Sequence, residues 1–162
     1  MTTAMIDDLY ARRIHTTLRN ISSPRQDLKF AQLKIYYQER GLELNKQFAN
    51  SLELLTPDGK FNYIAYLLAD ENGVSIKVAK YAGSDKVDLI ENEEYGYCSL
   101  IKATYSVLEK LKIENVTYAK VTSTKRIEKN LVEPVAMREA IVNCIVHNDF
   151  THEIPSVFEI FN

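Results

Sequence analysis

Residues 134–150, PVAMREAIVNCIVHNDF, constrain this chain more than any other stretch. Pro134 suits a first helical turn, because the N–H it lacks is one that a helix start leaves unpaired, and Glu133 before it favours the positive end of a helix. No proline or glycine interrupts the run that follows. Val135, Ala136, Met137, Ala140, Ile141, Val142, Cys144, Ile145 and Val146 spread over nearly the whole circumference, so the pattern predicts a helix buried on most sides rather than a surface helix. Glu139, Asn143 and His147 stand at steps of four, each about 6 Å further along one narrow stripe. On an otherwise apolar helix these groups need partners, since a buried polar group left unpaired costs about 1–3 kcal/mol. A ligand or a metal would supply them. The plainer alternative is that the stripe is the solvent side of a core helix, with His147 capping its C-terminal end.

The rest of the chain reads as helices, then a small sheet. Ile6, Leu9, Tyr10, Ile14 and Leu18 recur at helical spacing, so residues 2–19 are expected as an amphipathic helix, broken by Asn20 to Pro24. A second helix is expected over about 25–40, with Leu28, Ala31, Ile35 and Tyr36 inward and Gly41 as its stop, and a third over 42–55 with Phe48, Leu52 and Leu55 inward. Pro57-Asp58-Gly59 is a turn. Residues 61–69 read as a helix passing into a strand, and Glu71-Asn72-Gly73 as a hairpin-type turn. Residues 74–81 alternate apolar with polar, the mark of a half-buried strand. A loop follows at 82–86, a short strand at 87–90, a helix over 100–111 with Leu100, Thr104, Val107, Leu108 and Leu111 inward, and a strand over 115–121. Lys125, Arg126 and Lys129 make a small basic patch, diluted by Glu128 and Glu133 and read as a solvated turn.

Composition narrows the function classes. A formal charge of −2 and a pI near 5.9 give no global footprint for nucleic acid or an anionic membrane. Cys98 and Cys144 lie far apart, no stretch reaches the length of a membrane span, and no charged and apolar leader opens the chain, so a cytoplasmic protein with free thiols is expected. The spacing of His147, Asp149, His152 and Glu153 fits no recognised metal motif. The ten tyrosines scatter over many elements and make no base-stacking platform. No Walker lysine loop, no G-x-G-x-x-G and no Ser-His-Asp order occurs.

The run from Met137 to Phe150, MREAIVNCIVHNDF, resembles the "REALVNAxxHRDY" helix of bacterial regulators with a RecG-like C-terminal ATP-binding domain, of the Schlafen AlbA-like or divergent AAA type. That helix is similar to the E-x-x-x-N box that opens the GHKL, or Bergerat-fold, ATPases. Residues 80–111, with Gly83 and Gly96, and the Arg126-Ile127-Glu128 segment are similar to what precedes the helix in that family. The resemblance implies ATP and Mg²⁺ as cofactors. Asn143 would hold the magnesium and, with His147, the nucleotide, and Glu139 would orient or deprotonate an attacking water. Residues 156–162 look like the first strand after the box, and the glycine-rich boxes of the family are not found, so a fragment of a longer parent is expected.

The fold class expected is therefore α+β: a helical segment at 1–56 packed on a small mixed sheet in a connector over 57–132, leading into the first helix and strand of a Bergerat-type ATPase domain at 133–162. Two function classes follow. One is part of an ATP-binding transcriptional regulator, contacting DNA through other modules of the parent, with no hydrolysis by this chain alone and a weak ATPase at most in the parent. The other is a non-catalytic connector and dimerisation module that binds no nucleotide. Neither involves a membrane.

Overall fold

The computed structural model describes residues 17–115, 117–121, 126–152 and 154–161. The helix expected over 2–19 falls almost wholly outside them. The fold is α+β, and the chain divides into two compact units, one taking in Met1–Asn72 and Cys98–Ile101 and the other Gly73–Tyr97 and Lys102–Asn162.

In the first unit the helices are shorter than their periodicity predicts. Helix α1 spans Ala31–Gln38, α2 is the single turn Phe48–Ser51, and α3 spans Tyr63–Leu68. The start of α1 is set from a distance. The Asp70 carboxylate accepts from the N–H groups of Ala31 at 2.8 Å and Gln32 at 2.7 Å, serving as the cap that Phe30 cannot provide. The helix buries Leu33, while Ile35, expected inward, is exposed. Residues 42–55 do not form the expected helix beyond α2, and Leu54 just after it is buried instead.

Asn62 holds this region together. It is fully buried, its Oδ1 caps α3 by accepting from Ala65 N–H at 3.0 Å, and its Nδ2 donates to the Glu53 carbonyl at 2.8 Å. Glu53 sits in the left-handed region at φ 54°, which aims that carbonyl. Gly59, at φ 75°, closes the expected turn by donating to Thr56 O at 2.9 Å. Residues 61–69 contain α3 and no strand. Asn72 donates to Leu67 O and Cys98 O, so 71–73 forms a bend between a helix and a strand and not a hairpin.

In the second unit strand β1, Ser75–Tyr81, is flanked by β2, Leu89–Gly96, antiparallel to it, and by β5, Ser156–Phe161, parallel to it. Strand β1 confirms the alternation read from sequence, with Ile76 and Val78 buried. Strand β2 runs on through Glu91, Asn92, Glu93 and Glu94, where no strand is predicted. Its acids have a use. From helix α4, Leu100–Glu114, the Lys110 ammonium reaches Glu91 at 2.6 Å and Glu93 at 3.3 Å, and Glu114 meets Lys80 of β1 at 2.7 Å. The hydrogen bond to Glu91 holds Lys110 above the ordinary lysine value, and the bond from Lys80 holds Glu114 below the ordinary carboxylate value. These contacts fix α4 over the face of the sheet that carries Ile76, Val78 and Lys80. Ala103 and Val107 of α4 are buried with them.

Strand β3, Thr117–Val121, pairs antiparallel with β4, Arg126–Asn130, in a separate two-stranded ladder. The segment read as a solvated turn is thus a strand from Arg126 onward, while Lys125 lies outside the described residues. Helix α5, Pro134–Val146, and β5 then complete the unit.

Candidate functional site

Helix α5 begins as the sequence dictates. Pro134 occupies its first turn, and the Glu133 carboxylate caps it by accepting from Ala136 N–H at 2.8 Å. It ends earlier than Phe150. His147 is the C-cap, its N–H donating to Asn143 O at 3.0 Å, and Phe150–His152 form a separate 3-10 turn. Asp149 organises that turn by accepting from the Thr151 N–H and hydroxyl and from His152 Nδ1, and the Thr151 hydroxyl holds its carboxyl below the usual range.

The burial expected for α5 is only half met. Ile141 and Ile145, one turn apart, are 3% and 2% exposed and form a ridge into the core, and Phe150, just after the helix, is buried as well. Met137 and Val142 flank the ridge at intermediate burial. The rest of the helix is open, including Val135 and Val146 at 64% and 65% exposure and Cys144, which is exposed and not buried as its apolar surroundings predict. The helix is therefore a surface helix. Two apolar residues a turn apart anchor it, Met137 and Val142 are half-buried beside them, and Val135, Ala136, Ala140, Cys144 and Val146 face outward.

Glu139, Asn143 and His147 all lie on this open face. Glu139 Oε1 pairs with the neighbouring Arg138 at 2.8 Å. The side chains of Asn143 and His147 meet no partner among the described residues. Val135 continues the stripe one turn before Glu139, Val146 borders it on one side, and the small residues Ala136, Ala140 and Cys144, a second step-four set, border it on the other. A magnesium ion takes six hard donors in a near-octahedral shell. The oxygens of Asn143 and Glu139, one turn apart on an open helix, do not make such a shell by themselves, and no group of three or more metal-binding side chains occurs among the described residues. Of the His147, Asp149, His152 and Glu153 set, Glu153 lies outside the described residues, and Asp149 and His152 are joined within their own turn.

Two depressions adjoin these elements. A groove of about 470 Å³ between α4 and α5 is floored by Tyr105, Leu108, Pro134 and Met137. A smaller one of about 220 Å³ is bordered by Lys77, Glu94, Tyr97 and Ile154. Lys77 stands directly across the ladder from Glu94, which already accepts from the Ser75 and Tyr97 hydroxyls, so this is a cross-strand pairing of charges.

No family model matches the chain, and no curated protein does. Among solved structures, the chain resembles the DIP2311 protein from Corynebacterium diphtheriae with a TM-score of 0.71 at 15% identity, over 94% of this chain. The match spans only 32% of that protein. At such identity the likeness speaks for the fold alone. No helix among the described residues is long and apolar enough to cross a membrane.

Proposed function

We propose that this chain is a non-catalytic connector module, working in the cytoplasm, whose α5 is a docking helix that another protein surface covers. One observation carries this reading. A helix with 13 residues buries only Ile141 and Ile145 and presents Val135, Val146, Ala136, Ala140 and Cys144 to solvent around a polar stripe. Open apolar surface of this kind marks a face meant for contact. The polar stripe then gives the contact its register, because a wrong alignment would leave Glu139 or Asn143 unpaired against apolar groups.

A second reading is favoured by the stripe itself. In it, Glu139, Asn143 and His147 form one wall of a Bergerat-type ATP and magnesium site in a nucleotide-responsive transcriptional regulator, closed by protein beyond this chain and acting on DNA through other modules. Calorimetry with magnesium and ATP separates the two. The connector reading expects no tight nucleotide binding and no turnover by the 162-residue chain, and the same result for Asn143→Ala. Binding that Asn143→Ala abolishes, with the melting temperature unchanged, would replace the first reading by the second.

A further inference from the structure

The outward face of α5 has a symmetry that selects its partner. Taken about Asn143, the sequence of the exposed stripe places an acid four residues before and an imidazole four residues after. Two such helices packed antiparallel with Asn143 at the crossing bring Glu139 of each copy to the height of His147 of the other. The two Asn143 amides meet at the centre, where each can donate and accept. Ala136, Ala140 and Cys144, beside the stripe, are small enough for the helix axes to approach closely. A parallel arrangement would instead set Glu139 against Glu139.

From this self-complementary pattern the geometry points to a second copy of this chain as the occupant of the α5 face, in an isologous antiparallel helix pair about Asn143. The inference rests on the connector reading and adds the identity of the partner. Each copy presents the same patch, as a twofold interface requires. The contact is short, since residues 139–147 extend over only about 12 Å of helix. Such a pair buries less than the roughly 1,200 Å² of a stable interface, so the dimer is weak and forms at micromolar concentrations or above.

Sedimentation equilibrium over about 1 to 200 μM tests this. The wild-type chain should shift from monomer to dimer across that range. His147→Glu should weaken the dimer about tenfold or more by setting two carboxylates at equal height, Glu139→Lys should do so by removing the acceptor for the imidazole N–H, and the double variant should restore it by setting an ammonium against a carboxylate. Both substitutions lie on exposed positions, so equal melting temperatures confirm that folding is not the cause. A wild-type chain that stays monomeric throughout, or a double variant no better than the single ones, overturns the second copy as occupant. Magnesium and ATP titrated into the same samples keep the two failures apart. A monomer that binds no nucleotide overturns this inference alone, whereas nucleotide binding lost in Asn143→Ala overturns the connector reading beneath it.

Discussion

Replacing Ile141 with alanine should cost the fold about 2–5 kcal/mol, because the side chain is 3% exposed and its removal leaves both lost transfer energy and a cavity. The comparison with its neighbours makes the result specific. Val146, on the same helix and equally apolar, is 65% exposed, so Val146→Ala should move stability by no more than about 0.5 kcal/mol. Urea or thermal melts of the two variants beside the wild type report the difference directly. A similar loss at both positions would mean that the helix is buried on two sides.

The second large effect is expected at the end of β2. Gly96 faces Ser75 in the β1–β2 register, and a Cβ built on it would run into the Cα and Cβ of Ser75 and the carbonyl oxygen of Val74. Two of these are backbone atoms and cannot swing away. Gly96→Ala must therefore push the strands apart where β1 begins, next to the bond from Tyr97 N–H to Val74 O at 2.9 Å. A loss of about 3 kcal/mol is expected, at the upper end of what overpacking costs. Gly83 provides the control. It has open space where its Cβ would go, so Gly83→Ala should leave the melting temperature close to that of the wild type.

What the sequence made readable, and what it concealed, follows from whether the deciding partner is near or far along the chain. Strand β1, the turn at Gly59 and the start of α5 at Glu133 and Pro134 depend on local alternation, local φ and a local cap, and all three are as expected. The start of α1 depends on Asp70, far along the chain, so periodicity alone extended that helix several residues too far. Strand β2 has a sequence rich in glutamate, which local preference disfavours in strands. It is a strand because Lys110, on another element, takes Glu91 and Glu93.

The same distinction governs α5. Its helical nature and the single stripe of Glu139, Asn143 and His147 were legible, since both depend on spacing. Its burial was not. Apolar composition says that surface must be covered, but not whether the cover belongs to the same compact unit. Here the unit covers Ile141 and Ile145 and leaves the opposite side to solvent. The resemblance to regulators with a nucleotide site rests on the run from Met137 to Phe150 and on the segments 80–111 and 126–128 before it.

The openness of that face is the claim on which the rest depends, and Cys144 reports it. In a Cys98→Ser variant, Cys144 is the sole thiol, exposed on α5 beside the stripe. Labelling with a thiol reagent in dilute solution, with the protein folded, is predicted to proceed at close to the rate of the same thiol in the unfolded chain. Labelling slowed by orders of magnitude under those conditions would show α5 buried on most sides and contradict the account.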